Sequence, residues 1–298
     1  CQHREAFQEI DYQQMFGGIC KWVAEINDVA RIPEYVSRAY ATATQGRPGP
    51  VVLVFPEEVL NESAEIVIPG KTRIAYAAPR EDDMAELAKL LERAERPLLV
   101  LGGSGWTAEA TANITRFAEA CMLPVHTSFR RQDAFDNEHP HYGGEFGLGA
   151  NPQLIERAKQ ADLIIAVGAR FGENPSQGYT LFSIPAPQQA FVHVHAGAEE
   201  LGKVYQAHLP VLAGVAEFAK AAAQLRVPGN RAAWVKSARD VYEAWQQPLP
   251  PATQVDMCKI VQSLQTLLPD DTIYTNGAGN YATWLHRFHR YQIGRAHV

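Results

Sequence analysis

The sequence predicts an α/β protein built around a doubly wound parallel sheet, and three observations carry that prediction. Between about Glu81 and Val227, short apolar stretches alternate with segments of helical periodicity. The runs Val51–Phe55, Leu98–Leu101 and Leu163–Val167 are almost unbroken Val, Ile and Leu, as expected of strands covered on both faces. Two long polar loops follow predicted strands, at the carboxyl ends where such sheets bind ligands.

The elements follow in order. Ile32–Thr44 reads as a helix with Ile32, Val36, Ala39, Tyr40 and Ala43 on one face. Gly46-Arg-Pro-Gly-Pro50 breaks it, and Val51–Phe55 follows as a buried strand. Residues near Asn61–Pro79 have no clear period and read as a linker. Helix Asp82–Arg93 places Met84, Leu87, Ala88 and Leu91 on one face. Strand Pro97–Leu101 enters Gly102-Gly-Ser-Gly105, and helix Thr107–Ala120 starts from Thr107 as N-cap. Strand Pro124–Phe129 leads into a long loop, Arg130–Ala150. Asn151 caps the next helix, with Pro152 at its first position. Strand Asp162–Gly168, a loop to about Gln189, strand Phe191–His195, a short strand near Pro210–Ala213 and helix Val215–Gln224 complete the alternation. Pro228–Pro251, bearing Trp234, Tyr242 and Trp245, reads as a connector. A new unit then begins, with Thr253 capping helix Gln254–Leu268. Strand Asp271–Thr275, the turn Asn276-Gly-Ala-Gly279 and a helix start at Asn280–Leu285 follow.

Composition fits a packed globular protein. The chain has 298 residues, 46% of them hydrophobic and 20% charged. A net charge of −6 without any Lys/Arg run argues against nucleic acid as a partner. No apolar run approaches the ~20 residues that a membrane-spanning helix needs. Cys1, Cys20, Cys121 and Cys258 share no CxxC spacing, which suits reduced thiols and a cytoplasmic protein.

Three constellations could carry chemistry. Gly103-x-Gly105-x-x-Ala108, between a strand and a helix, loosely fits a nucleotide-binding turn, whose glycines let a phosphate approach the backbone. The following strand, however, ends in Phe129-Arg130-Arg131, with no acid for a ribose hydroxyl, so a tight structural turn is the competing reading. Ser104 does not stand in a GxSxG elbow. Asn276-Gly-Ala-Gly279-Asn280-Tyr281 is a second strand-to-helix turn able to face an anion. The third is histidine: His139 and His141 flank Pro140, and His193 and His195 lie two apart on one strand face. No acid or histidine spacing completes a metal set around them, so structural roles are expected.

The ordered set of segments resembles one family. Arg4-Glu-Ala-Phe-Gln-Glu9, Ile19-Cys-Lys-Trp22, Ile32-Pro-x-x-Val36-x-x-Ala39, Gly46-Arg-Pro-Gly-Pro-Val51 and Pro56-Glu-Glu-Val59 are similar in order and spacing to the thiamine-diphosphate-dependent enzymes of the acetolactate synthase and 2-keto acid decarboxylase group. Leu163–Phe171, Phe191–Lys203 and Asp271–Trp284 extend the likeness through the middle domain into the third. The resemblance implies a complete Rossmann-like middle domain flanked by partial α/β thiamine-diphosphate-binding domains. The expected boundaries are 1–62 for the end of a pyrimidine-binding domain, 63–80 for a linker and 81–228 for the middle domain. They continue with 229–252 for a connector and 253–292 for the start of a pyrophosphate-binding domain. Residues 293–298 match a string that one frame of a common sequencing adapter encodes, and are read as a scar.

The implied chemistry is carbon–carbon bond cleavage or formation on a 2-keto acid, with thiamine diphosphate as electron sink and Mg2+ anchoring its diphosphate. The family's activating glutamate and its magnesium motif fall outside this sequence, so the chain itself is expected to be an inactive internal fragment. Gly279, Asn280 and Tyr281 fall where the family contacts the diphosphate, although relatives often carry Gln-His where Asn280 and Tyr281 stand. Phe7, Gln8 and Lys21 fall where acetolactate-synthase-like members line the substrate channel; packing for Phe7 and a solvated charge for Lys21 are the alternatives. Acetolactate synthases carry Asp-Asp-Arg where Gly172-Glu-Asn-Pro175 stands, and an acidic strand end where His195-Ala-Gly197 stands, so FAD is not expected. The resemblance further implies a homodimer or homotetramer. Two other readings stay open: an NAD(P)-dependent dehydrogenase on the Gly103–Ala108 turn, and a non-catalytic nucleotide-binding module with a sirtuin-like sheet.

Overall fold

Side chains of successive strand residues point to opposite faces, and the strand at Pro97–Leu101 (β3) shows what that does in a sheet covered on both sides. Leu99 and Leu101 enter one core with Ile165, Val167, Val192 and Val194. Leu98 and Val100 enter a second core on the other face, with Ile164, Ala166 and Phe191. Every residue of β3 is buried. That explains why the run reads as continuous Leu and Val without alternation.

A computed structural model of the chain describes residues 4–250, 254–269 and 271–291. The chain divides into two units, Cys1–Tyr76 and Ala77–Val298.

In the second unit, β4 (Val125–Ser128), β5 (Tyr142–Phe146), β6 (Leu163–Val167), β7 (Ala190–His195) and β8 (Leu209–Leu212) join β3 in one six-stranded sheet of order β5-β4-β3-β6-β7-β8. Every pairing is parallel. The chain works outward from β3 in one direction, then restarts at β6 in the other. This is the doubly wound order, with its switch point between the carboxyl ends of β3 and β6. The helices follow their apolar stripes. In α4 (Glu81–Arg93), Leu87 and Leu91 are buried. In α5 (Ala108–Ala120), Ile114, Phe117 and Ala118 face α7 (Val215–Ala222), where Phe218 meets Phe117 edge-on at 6.5 Å. The opposite face takes α6 (Pro152–Gln160), whose Leu154 and Ala158 are buried there. Thr107 caps α5, accepting from Ala110 N at 3.1 Å, and Asn151 caps α6, accepting from Gln153 N at 3.0 Å, as the sequence predicts.

Four expectations for this unit need correction. The segment 130–150 is not one loop, because β5 lies inside it and pairs with β4 at the sheet edge. Tyr142-Gly-Gly-Glu-Phe146 carries two glycines, which weaken the strand pattern. The segment after Pro228 is more than a connector: α8 (Ala232–Trp245) packs on β5 and α6, and Trp234 donates to Pro97 O at 2.9 Å. In the last segment the helix is α9 (Met257–Leu267), capped by Asp256 through Lys259 N at 3.0 Å; the expected cap Thr253 lies outside the described residues. No strand forms at 271–275 among the described residues, only a single bridging residue at Tyr274, and α10 runs Ala282–Phe288.

The first unit is a small βαβ arrangement. After α1 (Tyr12–Phe16), β1 (Trp22–Glu25) pairs in parallel with β2 (Val51–Val54), in the register Trp22↔Val51 to Glu25↔Val54. The crossover is α2 (Ile32–Thr44), as the periodicity predicts. Its apolar face is only partly covered within this unit, leaving Val36 and Tyr40 exposed. A short α3 (Glu57–Leu60) closes the unit's regular structure, and residues 61–78 are exposed over almost their whole length. The scar expected at 293–298 lies outside the described residues.

Candidate functional site

Glycines fix the shape of the turn between Tyr274 and α10. A Cβ on Gly277 would lie 2.5 Å from the Tyr281 hydroxyl, and one on Gly279 would lie 2.7 Å from Tyr281 Cε1. The Tyr281 ring is therefore folded across a cradle that only glycines leave open. Gly277, Ala278, Gly279, Asn280 and Tyr281 are all exposed. Asn280 O accepts from Thr283 Oγ1 at 2.6 Å and from Thr283 N at 3.2 Å, which closes the turn onto the helix. The structure thus brings Gly279, Asn280 and Tyr281 together on one exposed, backbone-rich surface. With Tyr281 swung aside, the cradle would admit an anionic group to backbone donors.

The helix behind this turn is anchored deeply. Arg287 stacks on Trp245, its guanidinium carbon 3.6 Å from the ring centroid, and donates from Nε to Trp245 O at 2.9 Å. Gln246 Nε2 donates to Arg287 O. His286 is buried, 5.6 Å from the Phe129 ring, and its Nδ1 lies 3.5 Å from Glu145 Oε1. Glu145 and His286 both line a cavity of about 30 Å3, bounded also by Tyr142, Asn151, Tyr242 and Thr283. Burial holds the Glu145 carboxyl well above the usual carboxylate range. Neither Glu145 nor His286 stands out in the sequence. The available signal was an acid within Tyr142–Phe146, a segment otherwise composed of glycines and aromatics.

At the switch point the glycines serve the backbone. Gly103 and Gly168 have φ of +69° and +71°, and a Cβ on Gly168 would lie 2.4 Å from Gly102 O. Trp106 Nε1 donates to Gly102 O at 2.8 Å, and Gly105 lies against Val215. The turn is accounted for by close packing of strand ends and helices. Beyond β4, Arg131 pairs with Asp133 at 3.2 Å, and Arg130 lies over the Phe129 ring.

The histidines have structural partners. His193 Nε2 lies 2.9 Å from Ala169 O, and His195 Nδ1 accepts from Gly197 N at 3.0 Å. His139 meets Glu119 at 3.2 Å, and His141 Nδ1 is 2.8 Å from Leu123 O. Among the described residues no group of three His, Cys, Asp or Glu side chains could hold a metal ion, and no helix is long and apolar enough to cross a membrane.

In the first unit Phe7 is 93% exposed and Gln8 adopts a left-handed backbone, φ +63°. Both are available to a ligand or partner. Lys21 is engaged: its Nζ donates to Gln45 O at 2.7 Å and to Arg47 O at 3.1 Å, holding the Gly46–Pro50 turn after α2.

Residues 84–222, which include all six strands of the large sheet, match the family model described as thiamine pyrophosphate enzyme, central domain. Curated relatives extend over almost the whole chain. An acetolactate synthase of Mycobacterium bovis is 26% identical over 98% of this chain and 49% of its own length. The large subunit of acetolactate synthase isozyme 1 of Escherichia coli is 27% identical over 94% of the chain and 50% of its own length. An acetolactate synthase large subunit of Parasynechococcus marenigrum is 29% identical over 94% of the chain and 46% of its own length. The chain spans about half the length of the curated relatives it matches. None of these comparisons points to a dehydrogenase or to a sirtuin-like module.

Proposed function

We propose that this chain is part of a thiamine pyrophosphate enzyme, and that the whole protein makes or breaks a carbon–carbon bond beside the carbonyl of a 2-keto acid. One observation carries the reading. The central-domain match falls on the six-stranded sheet, and the acetolactate synthase relatives run on through the segments flanking it on both sides. When bound, thiamine diphosphate supplies the electron sink that such chemistry requires, and Mg2+ anchors its diphosphate.

Within this chain the Gly277–Tyr281 turn is the part that fits the cofactor. Gly279 and Asn280 would offer backbone N–H groups to the diphosphate, and the Tyr281 ring would leave the glycine cradle it covers. No cationic side chain is needed there, because turn amides suffice for an anion whose charge a metal shares. Phe7 and Gln8 are the first unit's candidates for the substrate channel. Lys21 could join them only by leaving the two carbonyl oxygens it now holds. We further read the middle domain as flavin-free and the active assembly as a homodimer or homotetramer.

The test is CO2 release from pyruvate and larger 2-keto acids by the natural full-length gene product, with and without thiamine diphosphate and Mg2+. Cofactor-dependent turnover is expected, and the 298-residue chain by itself is expected to show none. Full-length protein that neither binds thiamine diphosphate nor turns over any 2-keto acid would refute the reading.

A further inference from the structure

Glu145 is an expensive residue to bury. It stands on the edge strand β5, its side chain 10% exposed, and Gly147 makes room for it: a Cβ there would lie 3.0 Å from Glu145 Oε1. Its Oε2 has no hydrogen-bond partner among the described residues. The charged form of such a carboxyl is strongly disfavoured unless a partner shares its proton or neutralises it. The imidazole of His286, 2% exposed, lies 3.5 Å away. That imidazole belongs to α10, the helix that the Gly277–Tyr281 turn leads into.

We propose that Glu145 and His286 share one proton and thereby latch α10 onto β5, which makes Glu145 a positioning residue for the Gly277–Tyr281 turn. With one proton between them the pair is neutral overall, either as acid and imidazole or as carboxylate and imidazolium. A second proton leaves an imidazolium beside a neutral acid in a site where His286 is 2% exposed. Loss of the last proton to solvent leaves a bare buried carboxylate. Either change penalises the docked helix, so docking is strongest in the middle of the pH range and weakens on both sides.

The other groups facing the pair do not duplicate it. Tyr142 on β5 and Tyr291 beyond α10 both feel the Glu145 charge, and burial raises both phenols. Asp133, in the turn after β4, is raised by burial and is paired with Arg131. Arg287, next to His286, points to Trp245 on α8. The His289 ring lies tilted against Tyr274 at 4.3 Å and edge-on to Tyr291 at 4.4 Å.

The consequence for cofactor binding rests on the proposed function, but the latch itself does not, so its test uses no cofactor. Amide hydrogen-exchange protection of residues 276–288 is measured in the 298-residue chain from mildly acid to alkaline pH, for the wild type, Glu145→Gln and His286→Gln. The wild type should show bell-shaped protection, falling at least tenfold at each side. Glu145→Gln should abolish the alkaline fall and keep the acid one. His286→Gln should abolish the acid fall and keep the alkaline one. An unchanged alkaline fall in Glu145→Gln would assign that limb to a phenol and overturn the proposal, as would flat protection in the wild type. Failure of thiamine diphosphate to bind the full-length protein would sink the functional reading and leave these exchange profiles untouched.

Discussion

The guanidinium of Arg231 donates from Nε to the carbonyl oxygen of Ala94 at 3.0 Å, joining residues 137 positions apart. The same group donates to Cys121 O at 2.9 Å and to Leu91 O. These carbonyls belong to the ends of α4 and α5, where helices leave acceptors unsatisfied and carry partial negative charge. Arg231 is 3% exposed, so burial pulls its pKa down, while the converging carbonyls and the nearby charge of Asp162 favour the guanidinium. Arg231→Met should therefore destabilise the second unit by about 3 kcal/mol or more, since several buried acceptors lose their donor at once. Arg231→Lys should recover only part of that, because an ammonium cannot span the same fork. Urea unfolding of both variants checks this through the midpoint, at unchanged slope.

Glycine at the switch point gives a second, contrasting prediction. Gly168→Ala combines a left-handed φ of +71° with a Cβ 2.4 Å from Gly102 O, a backbone atom that cannot step aside. Gly202 has φ +80° but nothing within 4 Å of its Cβ position. Gly202→Ala should cost only the conformational term of about 1 kcal/mol. Gly168→Ala should cost about 3 kcal/mol or fail to fold. Equal midpoints for the two variants would show that the β3 and β6 ends are not in contact.

Much of this architecture is legible in the chain because it rests on period and punctuation. Strands β3 and β6 declare themselves by unbroken apolar runs, and α5 and α6 by Thr107 and by Asn151-Pro152 at their starts. What stays hidden depends on partners distant in sequence. The β5 segment carries Gly143 because a Cβ there would lie 2.4 Å from His126 Cε1, and no local pattern reveals that neighbour. The burial of Glu145 likewise becomes visible only when α10 lands beside it. Lys21 shows the converse: a residue suggested for substrate contact turns out to hold the end of α2, which its own segment could not disclose.

Stability should rise with pH across the mildly acid range. Burial lowers the pKa of His126 to about 3 and of His193 to about 4, so both stay neutral in the fold and take up protons on unfolding. A depressed folded pKa contributes stability that is complete above the unfolded value of about 6.5 and is lost as pH falls toward the folded one. Each histidine adds up to ~1.4 kcal/mol per pH unit in that window. Glu145 acts in the opposite sense, because its raised pKa favours the protonated fold and loses stability as pH rises. Urea midpoints of the wild type and His193→Gln should therefore converge at acid pH and diverge toward neutrality. Parallel curves would mean that His193 titrates alike in both states.

The middle domain is expected to take up no flavin. In a dinucleotide site on a doubly wound sheet, an acid after the second strand holds the ribose and the first turn receives the pyrophosphate. Here β4 ends in Phe129-Arg130-Arg131, with Arg131 held by Asp133. At the end of β7 the His195 imbidazole side chain is spent on Gly197 N. The glycines of the first turn accommodate Trp106 and Val215 as well as the neighbouring strand end. Purified full-length protein should thus be colourless, and calorimetric titration of the 298-residue chain with FAD should give no saturable heat. Titration with NAD+ is expected to behave in the same way. A yellow protein, or FAD binding that survives gel filtration, would mean that Trp106 and the segment 170–189 rearrange to open the crevice.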